Sequence, residues 1–455
     1  MPRSVLVEGL QPEEDVSSPI LSRPRLWIAG AFLLVCALYL FDLTGMGVVS
    51  TDEPRYAAIG QAMARTGDWI SPRLWGQPWF EKPALLYWMT AIGFRAGLGP
   101  DLAPRLPVAL LSAAFLAFFW WRLRIEWDWR VASYSTAILA TSAGWLAYSH
   151  VAVTDLPLAV FFTAAVLLSF RRDLTASAVC LGLAALAKGL VPLVLFAPVV
   201  AIAWRRIRLV PVLAFIVVAV PWYVLCTLQD GSQFLQVFFM EHTFGRFSSS
   251  AMQHGQPWWF YFPALLLLLY PWFPLLAFAR GSWTDTRIRT LVAVVVFGFV
   301  FFSAAANKLP GYLLPLLPAA CILTGFGLSR MEVSRWTYIG PLALLGAMPA
   351  ISQVVPPAMA HGLRAANVPW LELGAGLICG AAFGLLIAGR YAFALVATGF
   401  IWLQIVLFPA IDRSASARPV WLESHPTCVS GLPRSMVYGL DYYAERSLPD
   451  CPVVR

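Results

Sequence analysis

Charge is scarce in this sequence. Of its 455 residues, 12% are Asp, Glu, Lys or Arg and 59% are hydrophobic. A soluble domain carries about 25% charged residues. So apolar a chain cannot cover itself with polar surface, which excludes a water-soluble globular fold and makes lipid the solvent. Lysine is rarer still: among 32 basic residues, only Lys82, Lys188 and Lys308 are lysines. The net charge of +8 comes from short clusters between apolar runs, as membrane topology requires, and so does not point to a nucleic-acid partner. A secretory signal peptide is also lacking. The polar start, with Glu13, Glu14 and Asp15, reads as a cytoplasmic N-terminal tail over 1–25.

What is present is a series of apolar runs. A span needs about 20 apolar residues. About 13 transmembrane helices are predicted, near 26–45, 104–121, 131–149, 155–170, 175–190, 191–204, 209–227, 259–279, 290–305, 312–328, 336–354, 370–389 and 391–410. The expected fold class is an all-α polytopic membrane protein with its main domain over 26–410. Alternate connections carry the arginines: Arg23 and Arg25; Arg122, Arg124 and Arg130; Arg171 and Arg172; Arg205, Arg206 and Arg208; Arg280, Arg287 and Arg289; Arg330 and Arg335; and Arg390. These mark the cytoplasmic side. The opposite side receives a first loop over about 46–103, another over about 228–258, and a short C-terminal tail over 411–455. Loops of this length are usually functional.

Cysteine usage agrees with this topology. Cys36, Cys180, Cys226, Cys321 and Cys379 fall in or at the ends of spans and read as small apolar residues. Cys428 and Cys451 share the tail on the oxidising side, where a disulfide is expected, with two free thiols as the alternative.

The outer segments hold the chemically interesting residues. Loop one opens Ser50-Thr51-Asp52-Glu53-Pro54-Arg55-Tyr56. Pro54 suits a first helical position and the acidic pair suits a helix N-terminus. Gly67 stops the helix. Tyr56, Ile59 and Met63 share a face, so an amphipathic helix along the membrane surface is expected. Asp52 and Glu53 read either as capping residues or as a general base facing a cavity. Trp79-Phe80-Glu81-Lys82-Pro83 follows. A lysine suits a phosphate oxygen near a membrane surface, which is the reading for Lys82 and Lys308; for Lys188, snorkelling from a helix end is enough. Asp155 caps the next span or pairs with Asp52 across one level of the membrane. Glu81 and His242 are two ligand types that suit a divalent cation (Zn, Mg or Mn), short of a full site and not a required cofactor. Arg246 is a candidate anion clamp. Tyr312, in Asn307-Lys308-Leu309-Pro310-Gly311-Tyr312, either donates to a phosphate or anchors the interface.

The ordered set Thr-Asp-Glu-Pro-Arg-Tyr-Ala, Gly67-Asp68-Trp69, Phe-Glu-Lys-Pro, Thr154-Asp155, Ala187-Lys188-Gly189, Pro221-Trp222-Tyr223, Glu-His…Arg-Phe and Lys308-Leu-Pro-Gly-Tyr-Leu-Leu-Pro resembles the bacterial membrane glycosyltransferases of the GT-C fold. The likeness is to the lipid A aminoarabinose transferases and their protein O-mannosyltransferase relatives, and it runs from about residue 26 to residue 320. It departs in two places: the tail is shorter than the soluble domain of the lipid A enzymes, and Ala84 stands where the family often has a second proline.

The resemblance implies a polyprenyl-phosphate sugar donor and transfer with inversion on the periplasmic side of a bacterial inner membrane. The acceptor would be a lipid, a glycan or a protein. Position by position, Asp52 looks like the principal catalytic carboxylate, beside Glu53, with Asp155 its partner across the cavity. Arg55, Tyr56, Lys82, Arg246, Lys308 and Tyr312 look like the groups around the donor phosphate. Glu81 and His242 match positions associated with a metal. The competing reading is a transporter or flippase of a lipid-linked anion. Such proteins usually show internal repeats and polar helices at the bilayer midplane, and neither is visible here.

Overall fold

The computed structural model describes residues 23–245, 255–279, 283–354, 368–386 and 391–452. The described residues are mostly helical. In order the α-helices are α1 (Arg23–Leu40), α2 (Asp52–Thr66), α3 (Leu85–Arg95), α4 (Arg105–Glu126), α5 (Trp129–Ala140), α6 (Ala143–Ser149), α7 (Asp155–Leu168), α8 (Thr175–Lys188), α9 (Val191–Leu195), α10 (Ala197–Ala203), α11 (Leu209–Leu235), α12 (Tyr261–Leu268), α13 (Thr286–Ala304), α14 (Leu317–Ser329), α15 (Ile339–Val354), α16 (Trp370–Leu386), α17 (Ala392–Ala415), α18 (Arg418–Ser424) and α19 (Arg434–Ala444). The only strands among the described residues, Arg73–Leu74 and Gln77–Pro78, form a hairpin in loop one.

Each predicted span coincides with helical chain, making the protein a polytopic membrane protein. Five helical segments among the described residues are long and apolar enough to cross a bilayer unbroken: Arg105–Glu126, Leu209–Met240, Thr286–Ala304, Pro310–Ser329 and Ala392–Ala415. Other predicted spans are interrupted. The run 191–204 divides at Phe196 into α9 and α10, each with a proline in its first turn. There a missing N–H is tolerated and a new helix is favoured over a continued one. The run 259–279 divides in the same way into α12 and a 3-10 segment, Phe273–Phe278, which again opens on a proline. Small residues let spans approach closely. A Cβ at Gly325 of α14 would collide with the Ser135 backbone of α5, and one at Gly311 would collide with the Tyr148 ring.

The two ends of the bundle differ as the arginine pattern predicts. At one end Arg287 donates to Glu126 and Asp285, while Arg206 donates to the Arg171 carbonyl. At the other end loop one, the α6–α7 connection, the end of α8 and the C-terminal tail pack together. Arg105 is fully buried there. It donates to both oxygens of Glu53 at 2.8 Å and to the Gly47 carbonyl at 2.8 Å.

The helix expected along the membrane surface is buried instead. In α2, Tyr56, Ile59 and Met63 are almost inaccessible. They pack against α3 on one side, and the tail helix α19 covers another face. Loop one and the tail bring enough protein to this helix that lipid is not needed to cover it. It also begins two residues before Pro54, at Asp52, so its acidic residues occupy the first turn. Gly67, at φ 75°, ends it as expected and bonds back to Met63.

Candidate active site

The first turn of α2 divides its two carboxylates. Successive helical residues point about 100° apart, so only one of them can face the core. Glu53 does: it is wholly buried, paired with Arg105, and it accepts from the amides of Val49 at 2.8 Å and Ala152 at 3.0 Å. This corrects the grouping of Glu53 with Asp52 as catalytic, since no oxygen of Glu53 is left for a substrate. Asp52 faces outward, its side chain 39% exposed, and accepts from Arg55.

Arg55 is the junction of the site. Its Nε donates to the Thr51 carbonyl at 2.8 Å, its Nη1 to Glu81 at 2.9 Å, and its Nη2 to Asp52. Burial opposes its charge, but Glu81 and Asp52 outweigh that and raise its pKa. Lys82 Nζ lies 3.1 Å from the other Glu81 oxygen. Carboxylates and cations thus alternate from Asp52 through Arg55 and Glu81 to Lys82.

The Trp75–Gly76 turn, with both residues at positive φ, folds the loop-one hairpin as two-residue hairpins require. It returns the chain so that Trp79 lies over Arg55, its ring centroid 5.3 Å from the guanidinium carbon. Tyr56, expected beside the phosphate, is enclosed between Arg55 and Tyr87. Burial pushes its phenol pKa well up, so it is a neutral group behind the site.

A second ion pair stands opposite. Lys188, the last residue of α8, donates to Asp155, the first of α7, at 2.6 Å, and its ammonium sits 4.7 Å from the Tyr312 ring centroid. Sequence reasoning set Lys188 aside as a snorkelling side chain. The signal that could have found it is the pairing of Ala187-Lys188-Gly189 with Thr154-Asp155 at the same membrane level.

A cavity open to the outside runs between the Glu81–Lys82 pair and Lys188. Its polar wall holds Glu81, Lys82, Lys188, Asn307 and Tyr312, and its apolar wall includes Leu190, Val191, Phe238, Phe301 and Phe302. Lys308 is not on that wall. Its ammonium is held by the carbonyls of Ala305 and Gln256, 2.5 and 3.1 Å away, and burial lowers its pKa. It braces the turn that carries Asn307 and Tyr312. Arg246 and the side chain of His242 lie outside the described residues.

Charge bookkeeping constrains the ligand. Asp52, Glu81 and Asp155 balance Arg55, Lys82 and Lys188. An incoming anion must therefore take Lys82 from Glu81, or Lys188 from Asp155. Glu81 lies against the guanidinium of Arg55 and the ammonium of Lys82. No group of three metal-ligating side chains exists among the described residues, which do not include the side chain of His242.

No family model matches the chain. An undecaprenyl phosphate-α-4-amino-4-deoxy-L-arabinose arabinosyl transferase 2 from Pseudomonas fluorescens is 31% identical over 431 residues, covering 86% of this chain and 76% of the relative. A second such protein, from another strain of that species, is 31% identical over 72% of this chain and 61% of its own length. The chain thus spans about three fifths of the latter. The solved structure of ArnT from Cupriavidus metallidurans bound to undecaprenyl phosphate superposes with a TM-score of 0.79 at 22% identity, covering 94% of this chain and 86% of that one. The shared fold is the GT-C glycosyltransferase fold.

Proposed function

The chain belongs to the undecaprenyl phosphate-α-4-amino-4-deoxy-L-arabinose arabinosyl transferase family, and from that premise we propose that it is a membrane glycosyltransferase. It would move a sugar from a polyprenyl-phosphate donor to a cell-envelope acceptor of the lipid A type. The observation that carries this is the cavity, in which Lys82 and Lys188 occupy a polar wall that continues into aromatic and aliphatic side chains. A phosphate with a long hydrocarbon tail satisfies both walls at once. A soluble sugar nucleotide would leave the apolar wall wet.

In the proposed reaction the donor phosphate displaces Glu81 from Lys82 and Asp155 from Lys188. The two ammonium groups then stabilise the negative charge that builds on the phosphate oxygen as the glycosidic bond breaks. The acceptor attacks the anomeric carbon from the opposite face, with inversion. If the acceptor is a hydroxyl, Asp52 takes its proton. If it is a phosphate, it is already ionised, and Asp52 orients the sugar. Arg55 holds Asp52 in place, Asp155 and Tyr312 bound the chamber, and Glu53 fixes the loop from behind.

The site would face the periplasm. The arginine-rich connections gather at the opposite end of the bundle, as the positive-inside rule requires of the cytoplasmic side. The Cys428–Cys451 disulfide lies at the site's own end of the protein, which supports an oxidising compartment there.

The test is transfer in proteoliposomes holding the full-length protein. Radiolabelled undecaprenyl-phosphate sugar is supplied with extracted outer-membrane glycolipid, starting with the 4-amino-4-deoxy-L-arabinose that names the relatives. Label should move to the acceptor in wild type and not in Asp52→Asn. Label that crosses the bilayer but stays on its polyprenyl carrier would replace transfer with translocation.

A further inference from the structure

The C-terminal tail reaches into the site just described. Tyr438, on α19, places its ring centroid 5.2 Å from the guanidinium carbon of Arg55. The in-plane donors of Arg55 are taken by the Thr51 carbonyl, Glu81 and Asp52. Three rings lie against the guanidinium: Tyr56 and Trp79 from loop one, and Tyr438 from the tail, whose centroid is the nearest. Tyr438 is itself fixed. It stacks on Trp75 with centroids 5.8 Å apart and 28° between planes, and its hydroxyl accepts from Arg434 Nε at 2.9 Å.

We propose that Tyr438 is a positioning residue for the transfer reaction, acting through Arg55 to aim the Asp52 carboxylate. This rests on the glycosyltransferase reading above. Arg55 sits on loop one, and one of its bonds goes to a carboxylate that is 39% exposed to water. A cation over an aromatic face gains electrostatic attraction from the ring quadrupole. Removing the ring takes away one of the aromatic contacts on Arg55, so the guanidinium can turn within its remaining bonds and the direction of Asp52 loosens. Arg55 also donates to Glu81, which holds Lys82, so donor KM can rise as well, but kcat should carry the larger part of the loss.

The tail is anchored independently of this ring, so the proposal can be tested without undocking it. Tyr442 donates to the Pro100 carbonyl at 2.6 Å and Tyr443 to Asp101 at 2.6 Å. Arg418 pairs with Asp101 at 3.0 Å and with Asp412 at 2.8 Å.

The experiment compares full-length wild type with Tyr438→Phe, Tyr438→Leu and Tyr438→Ala in nanodiscs. Phe keeps the ring; Leu keeps bulk without a quadrupole, as a control should Ala disturb the tail. In the first arm, Leu and Ala should lower kcat by about three- to tenfold, with a smaller change in donor KM, and Phe should retain most of kcat. In the second arm, the 15N-arginine Nε resonance of Arg55, identified by its loss in Arg55→Lys, should shift in Leu and Ala and stay in place in Phe. The second arm needs no turnover. If wild type transfers no sugar, the activity reading fails while the Arg55 resonance still reports on the contact. Wild-type kcat in Leu and Ala, a loss confined to KM, an equal loss in Phe, or an unmoved Arg55 resonance would each overturn the proposal.

Discussion

Arg55 joins Asp52 to Glu81. A single guanidinium donates to both carboxylates, at 2.9 Å to Glu81, so the residue proposed to act on the acceptor is tied to the one that holds Lys82. The acceptor and donor sides of the chamber share one cation. Arg55→Lys keeps the charge but loses the planar fork that spans two carboxylates. Transfer should fall by about tenfold or more with little change in melting temperature. Steady-state transfer together with a thermal melt in detergent checks both parts.

Asp52→Asn removes the base and keeps the shape. With a hydroxyl acceptor, kcat should fall by about a hundredfold or more, the range of general base catalysis, while donor binding persists. With a phosphate acceptor the loss should be much smaller, because no proton has to leave. Running both acceptors with one enzyme preparation separates the two roles, and wild-type turnover with the hydroxyl acceptor would remove Asp52 as base.

Lys82→Ala and Lys188→Ala should each weaken donor binding by about ten- to hundredfold, the value of a hydrogen bond to a charged group. Lys308→Ala should not, since its ammonium is bonded to the Ala305 and Gln256 carbonyls. Titrating undecaprenyl phosphate into the three variants and following intrinsic tryptophan fluorescence would rank them. Donor binding in Lys188→Ala equal to wild type would take Lys188 out of the phosphate site.

Glu53→Gln should act on stability. Its carboxylate is fully buried against Arg105, and breaking one partner of a buried pair costs about 3–5 kcal/mol. The variant should melt well below wild type, while the folded fraction keeps most of its specific activity. A normal melt with abolished turnover would return Glu53 to the chemistry.

Cys428 and Cys451 close a loop across a sequence separation of 23. A bridge of that span stabilises the tail by about 3 kcal/mol. Cys428→Ser/Cys451→Ser should leave the spans intact and make 411–455 susceptible to limited proteolysis. An unchanged cleavage pattern would mean that the ion pairs of Arg418 hold the tail without the bridge.

Some of this site is legible in the chain. The acidic start and glycine stop of α2 announce a helix, because capping chemistry is local. The apolar runs announce the spans, because lipid imposes a length. The three lysines announce one face, although they do three different things. Lys188 looked like a snorkelling side chain because a lysine at a helix end is locally the same object whether it meets a headgroup or a carboxylate. Only the packing of α7 beside α8 supplied Asp155. Lys308 looked like a phosphate ligand for the mirror reason: the carbonyls that hold it belong to turns, and no residue type reveals where a backbone carbonyl will point.

Composition and order alone determined that this protein is a bundle of spans with its chemistry at one end, since burial length and charge placement are one-dimensional properties of a chain in lipid. They also nominated Asp52, Glu53, Glu81 and Lys82, and the family resemblance added Arg55. Tertiary structure decided how these are used. Asp52 and Glu53 are neighbours in sequence, yet about 100° of helix rotation leaves one part-exposed beside Arg55 and sends the other to Arg105. It also brought Tyr438 onto Arg55 across a sequence separation of 383, a contact set by how the tail docks on α2, which no local pattern encodes.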